Sequence, residues 1–227
     1  MSKKTETAKQ RRLERERKIR RDAITDIAAK SFIENGYDAT MVDMIASNAG
    51  YTKASIYNYF DSKDDLFTAV ISKTYETLFD TLNNLLHAPG TKYELRTMGD
   101  AYLAFVESYP DQAALFDSGR IGLIIRAISE KEEKEQKLTE SEKEFKENLL
   151  RVQELMTDVI VKTMRESGVE GKVEPFKVIM ALSSLNTAIR ELVMRGKAGG
   201  QTEEETKENL SVLFNIIDQG LKHYDGN

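Results

Sequence analysis

The side chains best suited to chemistry in this sequence lie between Lys53 and Lys63, where hydrogen-bonding groups follow one another closely. Tyr57 and Asn58 carry groups that can hydrogen-bond to base edges or phosphate oxygens, and a Tyr ring can press on a thymine methyl group. The two lysines can neutralise phosphate charge. This combination predicts contacts with double-stranded DNA, and we expect them from these residues: Thr40, Thr52, Lys53, Ser55, Tyr57, Asn58, Tyr59 and Lys63.

Each of these residues also has an ordinary structural interpretation. A Thr at the start of a helix stabilises that helix whether or not DNA is present. Exposed lysines such as Lys53 and Lys63 are commonly just solvated, and Tyr59 could belong to the core beside Phe60. The residue types therefore favour DNA contacts without excluding a purely structural role.

Two short helices are expected to position these side chains. Thr40, with Asp43 three residues later, resembles the N-terminal cap of the first helix, and Gly50 is expected to end it in the left-handed conformation. Thr52 is the expected cap of the second helix. Two short helices joined by a turn that contains Gly form a helix-turn-helix pattern, whose second helix enters the major groove. The first helix is predicted by apolar residues at the i, i+3, i+4, i+7 spacing: Val42, Ile45, Ala46 and Ala49.

The composition predicts an all-α protein. Glu, Lys, Leu and Ala are plentiful, the 227 residues include only three Pro, and alternating β-branched runs are missing. The chain has no Cys, which excludes disulfides, thiolate metal sites and a Cys nucleophile. It shows neither an apolar signal segment near its start nor a run long enough to span a membrane. We therefore expect a cytoplasmic protein that has no cofactor.

The charge is distributed unevenly along the chain. Residues 1–21 contain ten Lys or Arg and three Glu, a net charge of +7, whereas the whole chain has a formal charge of −5. A basic segment on an acidic body predicts a polyanionic partner for that segment. The alternative is a disordered solubilising arm, and the sequence is also compatible with a partly helical one, since residues 13–21 contain no helix breaker.

Two other classes of protein fit the sequence less well. For an enzyme, the only two His, His87 and His223, have no helical partner at metal-ligand spacing, and the GVEGK sequence at 168–172 lacks the spacing of a phosphate-binding loop. The second class is a helical scaffold or membrane-surface protein that uses its basic arm on anionic partners. That arm has no amphipathic apolar face, and neither class explains the sequence from Tyr57 to Phe67.

The segment from Ile24 to Leu78 resembles the DNA-binding domain of the tetracycline-repressor (TetR-like) family of transcriptional regulators. The likeness includes Phe32 and the Gly36-Tyr37 pair, and it is strongest in the run from Ser55 to Phe67, SIYNYFDSKDDLF. It covers the first quarter to third of the chain. The resemblance implies a ligand-responsive transcriptional regulator, a repressor, that binds a palindromic operator and is released from it by a small-molecule effector.

The resemblance also implies two domains. We expect a three-helix DNA-binding domain with its basic arm at residues 1–63, and a larger helical domain for ligand binding and dimerisation at residues 64–227. The helix that begins at Ser62 and runs to about Leu86 would connect them. The last two helices, predicted from Pro175 to Arg195 and from Glu203 to Tyr224, would pair with those of a second copy in a homodimer. Alternatively, these two helices only close the core of one chain.

The residues of an effector pocket are the least specific prediction. Apolar and aromatic side chains at helical spacing could enclose a cavity for an apolar effector, although such stripes are more often plain core. Arg120 and Arg126 interrupt an apolar segment, where they could pair with a ligand carboxylate or phosphate, or extend to water. The predicted pocket residues are Tyr102, Phe105, Phe116, Arg120, Ile125, Arg126, Val152, Met156 and Asn186. We assigned no chemistry to the highly charged stretch 130–147.

Overall fold

The computed structural model describes residues 3–92, 94–168, 171, 173–180, 199–200 and 202–223. All regular secondary structure in these residues is helical, which confirms the all-α class. No helix in this part of the chain is both long enough and apolar enough to cross a membrane.

From α1 to α8 the helices follow one another with short connections. The helical elements are α1 (Lys3–Ala39), α2 (Val42–Ala49), α3 (Lys53–Tyr57), α4 (Lys63–Leu86), α5 (Leu95–Ser108), α6 (Pro110–Leu115), a 3₁₀ turn (Phe116–Ser118), α7 (Ile121–Glu133), α8 (Glu140–Glu166), α9 (175–180) and α10 (Glu203–Lys222). Of the predicted helix from Pro175 to Arg195, residues 181–195 lie outside the described residues, as do Asn186 and the C-terminal end of the last predicted helix.

The chain divides into two compact units, and the division differs from the predicted domains. Unit 1 contains residues 1–73 together with 114–146, and unit 2 contains residues 74–113 and 147–227. The break near α4 therefore falls after Lys73, within the helix, and not at residue 63. The charged stretch to which we assigned no chemistry belongs to the unit that contains the helix-turn-helix.

Helix α1 begins in the basic arm, so the arm is helical from Lys3. The helix breaks at Gly36, where the backbone has φ 73° and ψ 167°. A positive φ favours Gly because a side chain at such a position is strained. The break turns the chain toward α2.

The core of unit 1 forms where α1, α2, α3 and α4 meet. Its most buried side chains include Ile24, Phe32, Ile45, Ile56 and Phe67, each at most 2% exposed. Phe32 and Phe67 meet edge to face, with ring centroids 5.0 Å apart. These contacts hold the two short helices, which are too short to be stable alone.

The first turn of α8 is capped in a reciprocal way. The Glu142 N–H donates to Thr139 Oγ1 at 3.1 Å, and the Thr139 N–H donates to Glu142 Oε2 at 2.9 Å. The Thr139 hydroxyl also donates to Asp65 Oδ1 at 2.6 Å, which attaches this turn to the start of α4. Residues 130–146 therefore belong to unit 1, and several of their charges have specific partners.

The core of unit 2 is built largely from α5 and α8, and α10 packs against α5. Phe105 and Val159 are completely buried, and Leu95 and Ile160 are nearly so. Val152, Val159 and Thr163 are buried along one side of α8.

Candidate DNA-binding interface

The turn between α2 and α3 has the geometry predicted for Gly50. This residue has φ 70° and ψ 27°, and its N–H bonds back to the carbonyl groups of α2. The Tyr51 N–H donates to the Ala46 carbonyl oxygen at 2.9 Å, the six-residue bond of a glycine-terminated helix. The turn is therefore tight enough to bring two short helices into contact, and the helix-turn-helix prediction is confirmed.

Helix α3 is capped by Thr52 as predicted. The Ser55 N–H donates to Thr52 Oγ1 at 3.2 Å, and the two hydroxyl groups are hydrogen-bonded to each other at 2.8 Å. Ile56 anchors the helix at 1% exposure, and Phe60 follows at 1%. The exposed side of α3 is therefore held in place by one buried residue and one cap.

Thr40 does not cap α2, so that part of the prediction is wrong. The cap position is occupied by Met41, whose side chain makes no cap hydrogen bond. Thr40 is completely buried, and its hydroxyl donates to the Ser31 carbonyl at 2.9 Å and to the Gly36 carbonyl at 2.6 Å. The Thr40 hydroxyl therefore satisfies carbonyl groups of α1 next to the break at Gly36. A buried hydroxyl with these partners has no route to a phosphate, and we remove Thr40 from the candidate contacts.

The start of α4 is capped as predicted. The Asp65 N–H donates to Ser62 Oγ at 3.0 Å, and the Asp61 N–H donates to Asp65 Oδ2 at 2.9 Å. Asp65 is buried, at 8% exposure. The capping pair fixes the turn that joins α3 to α4, and hence the position of α3.

The candidate contact residues with the most accessible side chains lie on and beside α3. Tyr57 is 43% exposed, and Lys53 and Asn58 are also exposed. The Lys53 ammonium donates to Asp43 Oδ2 at 2.8 Å, and this hydrogen bond, with the charge of Asp43, raises the pKa of Lys53. The pair is exposed, and such surface pairs contribute little stability. Lys53 is therefore charged, and a phosphate would compete with Asp43 for it.

Tyr59 and Phe60 each contact an arginine of α1, which the sequence analysis did not foresee. The guanidinium carbon of Arg17 lies 5.3 Å from the centroid of the Tyr59 ring. That of Arg21 lies 5.1 Å from the Phe60 ring. Arginine over an aromatic face is a favourable arrangement. Tyr59 is therefore half-buried under the basic arm instead of projecting with Tyr57 and Asn58.

Lys63 lies beside Tyr37 in the structure. Its ammonium nitrogen is 4.2 Å from the Tyr37 ring centroid and 3.4 Å from the carbonyl oxygen of Asp38, to which it donates. Lys63 is half-buried, so it is less accessible than Lys53.

Tyr37, Asp64 and Arg120 form a cluster that joins α1, α4 and the turn before α7. The Tyr37 hydroxyl donates to Asp64 Oδ1 at 2.5 Å, and Arg120 Nη2 donates to the same oxygen at 2.9 Å. Burial and the hydrogen bond to Asp64 raise the pKa of Tyr37 to about 12. The hydrogen bond from Tyr37, with help from Arg120, lowers the pKa of Asp64. Asp64 is therefore held as a carboxylate and Tyr37 as a neutral phenol.

The predicted effector residues are divided between the two units. Tyr102, Phe105, Val152 and Met156 belong to unit 2, where Tyr102 and Phe105 are buried with ring centroids 6.3 Å apart. Phe116, Arg120, Ile125 and Arg126 belong to unit 1.

The two arginines of the predicted pocket lie in different surroundings. The guanidinium of Arg120 bonds to Asp64 and covers Tyr37. Arg126 is 76% exposed and pairs with Glu130 one helical turn away, which agrees with the alternative that it extends to water. Ile125 is also exposed, at 39%, as expected for a residue on the outer side of α7.

Residues 24–70, which include α2 and α3, match the family described as bacterial regulatory proteins, tetR family. In this segment the chain is TetR-like. The matched residues begin in α1 and end in α4, so they cover the helix-turn-helix and the helices that support it. The TetR-like part of the chain is therefore the part in which the candidate DNA contacts lie.

Two curated relatives share this region with the TetR-like chain. The biofilm operon icaADBC HTH-type negative transcriptional regulator IcaR of Staphylococcus aureus is 39% identical over 66 residues, 29% of this chain and 33% of the relative. The HTH-type transcriptional activator FasR of Mycolicibacterium smegmatis is 31% identical over 89 residues, 39% of this chain and 41% of the relative. The chain thus matches between a third and two fifths of each relative, and both are named as transcriptional regulators.

A solved structure is similar over nearly the whole TetR-like chain. The fatty acid degradation regulator FadR from Bacillus halodurans superposes with a TM-score of 0.57 and 19% sequence identity, covering 88% of this chain and 93% of FadR. At this identity the likeness shows a shared fold. The all-α architecture therefore extends beyond the helix-turn-helix.

Proposed function

We propose that this chain is a cytoplasmic, ligand-responsive transcriptional regulator that binds a palindromic operator as a homodimer. The observation that carries the proposal is the exposed group Lys53, Tyr57 and Asn58 on a short helix that Thr52 caps and Ile56 anchors. In a helix-turn-helix protein this is the helix that enters the major groove. Its residues supply a cation for phosphate and hydrogen-bonding groups for base edges. Thr52, Ser55, Tyr59 and Lys63 remain proposed contacts at its margins.

A homodimer through α9 and α10 is the second part of the proposal. Phe176 and Met180 are 62% and 51% exposed, and they lie one helical turn apart on α9. Val212 and Ile216 are 54% and 63% exposed at the same spacing on α10. Rows of large apolar side chains on a surface are typical of a protein interface. A second copy that covers them would also provide the second recognition helix, which a palindromic operator requires.

The proposed effector is a small apolar molecule bound in unit 2. The buried aromatic residues Tyr102 and Phe105, with Val152 and Met156, are the candidate lining. Effector binding would shift the equilibrium between two spacings of the recognition helices, with α4 as the connection. We propose repression, released by the effector, as the direction of control. A reporter gene placed behind the operator tests that direction, and higher expression with the protein present would contradict it.

The first experiment is selection of bound sequences from a random pool of DNA duplexes. We expect an inverted repeat whose half-sites are separated by about one helical turn, roughly 34–36 Å. Recovery of direct repeats or single half-sites would contradict the dimer, and recovery of no preferred sequence would contradict specific recognition. Tyr57→Ala should abolish the preference, because it removes the most accessible aromatic group of α3.

The salt dependence of binding then tests the role of Lys53. Lys53→Ala removes one phosphate contact and should reduce the slope of log K against log salt by about one. Asp43→Asn should act in the opposite direction and strengthen binding, because it frees Lys53 from its partner. Lys134→Ala, which alters an exposed lysine after α7, is the matched control and should leave the slope unchanged. Equal slopes for all three variants would show that Lys53 does not contact phosphate.

A further inference from the structure

A cavity of about 280 Å³ lies within unit 1, among the end of α1, the α4 helix and the turn from α6 to Arg120. Its deepest side chains are Phe32, Phe67 and Leu115, which are 2%, 1% and 4% exposed. Small-molecule sites typically have volumes of about 300–1,000 Å³ and a mostly apolar lining. The cavity is therefore of a size for a ligand with a single ring, and its floor is apolar and aromatic.

Arg120 provides hydrogen-bonding capacity at the polar side of this cavity. Its side chain is only 26% exposed, and its guanidinium carbon lies 3.4 Å from the centroid of the Tyr37 ring. A guanidinium has five N–H donors. Among the described residues, a hydrogen bond to Asp64 at 2.9 Å uses one of them. The remaining N–H donors can bond to an additional acceptor, and a bond to an anionic acceptor is the strongest.

Asp38 is the carboxylate that an incoming anion would have to displace. Its Oδ1 lies 3.8 Å from Arg120 Nη1, too far for a hydrogen bond, and its side chain is 98% exposed. Moving it away would break no hydrogen bond to Arg120. Lys63, with its ammonium 4.2 Å from the Tyr37 ring, adds a second positive charge on this side of unit 1. The local charges therefore tolerate an anion once Asp38 has moved.

We propose that this cavity binds a small aromatic carboxylate, with its ring against Phe32 and Phe67 and its carboxylate on Arg120. The ligand would contact α1, α4 and the turn that precedes α7. The site differs from the effector site proposed above, whose lining comes from Tyr102, Phe105, Val152 and Met156 of unit 2, although Arg120 was one of the residues predicted for an effector pocket. The proposal does not depend on DNA binding, since it concerns only the geometry within unit 1.

Three probes of the same shape and different charge test this proposal: benzoate, benzamide and benzamidine. Binding of each to the full chain can be measured by ligand-observed NMR, and millimolar affinity is the scale expected for so few atoms. Benzoate should bind most tightly and benzamidine least. Equal affinities, or a preference for benzamidine, would overturn the proposed role of Arg120.

Two variants locate the site and keep the test independent of Arg120. Ser118→Phe places a large side chain at an exposed residue that lines the cavity, and it should abolish binding of all three probes. Asp38→Asn should tighten benzoate binding severalfold and leave benzamide unchanged, because it removes a competing carboxylate. Asp38 is so exposed that this change should not affect folding. Benzoate binding that survives Ser118→Phe, or that is unaffected by Asp38→Asn, would show that the ligand binds elsewhere.

Discussion

Two arginine clusters attach residues 114–146 to the N-terminal residues of unit 1, and they differ in burial. In the first, Arg21 Nη1 donates to Glu144 Oε2 at 2.7 Å, its Nη2 donates to Ser141 Oγ at 2.8 Å, and its guanidinium covers Phe60. In the second, Arg120 donates to Asp64 and covers Tyr37. The Arg21 side chain is 4% exposed, whereas that of Arg120 is 26% exposed and its partner Asp64 is 70% exposed.

Because they differ in burial, we expect the Arg21 and Arg120 clusters to have different roles. Breaking a buried ion pair leaves a group without water or a partner, and this is strongly destabilising. An exposed carboxylate that loses its partner is rehydrated, so the loss is small. We infer that the Arg21 cluster stabilises unit 1. The contacts of the Arg120 cluster can break and re-form with a small change in free energy, so this cluster is the better candidate for a conformational change.

Removal of the Arg21 side chain should have the largest effect. We expect Arg21→Ala to reduce the free energy of unfolding by about 2 kcal/mol, because the buried Ser141 loses its partner and the packing on Phe60 is lost, while Glu144, whose side chain is 37% exposed, is partly rehydrated. Denaturant unfolding followed by circular dichroism measures this change. Arg20→Ala, at the exposed neighbouring position, is the control and should change stability little. A similar loss for both variants would indicate a general effect of charge on α1.

Removal of the Arg120 charge should have a smaller effect. We expect Arg120→Gln to reduce the free energy of unfolding by about 1 kcal/mol or less, since its partner is largely solvated. Arg126→Gln, which alters a residue 76% exposed on α7, should have almost none. If Arg120→Gln destabilised the protein as much as Arg21→Ala, the distinction between the two clusters would be wrong.

The pH dependence of the Arg120 cluster tests the same comparison in a different way. Because the pKa of Tyr37 is raised from 10.0 to about 12, its contribution to stability is complete below pH 10 and is lost as the pH rises toward 12. The pKa of Asp64 is lowered, so its contribution is present above its ordinary value of 3.8 and is lost as the pH falls through the depressed pKa.

The Tyr37 part of this prediction can be measured from phenolate absorbance. The difference in absorbance between the wild type and Tyr37→Phe should develop near pH 12 and not near pH 10. A difference centred at pH 10 would show that neither burial nor the hydrogen bond to Asp64 raises the pKa of Tyr37. The control is the same titration in denaturant, where the pKa of Tyr37 should return to its ordinary value of 10.0.

The sequence predicted the local structure of unit 1 better than its long-range contacts. The turn at Gly50 and the caps at Thr52 and Ser62 depend on residues within a few positions of one another, and the structure contains them. The predicted cap of α2 at Thr40 is wrong because the Thr40 hydroxyl bonds to the carbonyl group of Ser31, nine positions earlier. No short-range capping rule includes a partner at that distance.

The contacts of residues 130–147 could not be foreseen from their charge pattern, although Arg21 offered a signal. Charges at i, i+4 spacing are usual on a solvated helix. The partners of Glu144 and Ser141 lie more than a hundred positions away, in α1. Arg21, however, precedes Ile24 and Ala28 at the spacing of the buried stripe, so extension of that stripe into the basic arm would have identified it as buried.

The helical conformation of the basic arm has a consequence for the entropy of binding. A disordered segment loses about 1–2 kcal/mol of backbone conformational entropy for each residue that becomes ordered on its partner. In α1 the arm continues a helix that is already packed at Ile24 and Ala28, so its residues extend an existing helix and do not need to nucleate one. A polyanion that binds the arm therefore meets positive charges whose spacing is already set, and the attraction is not offset by ordering of the chain.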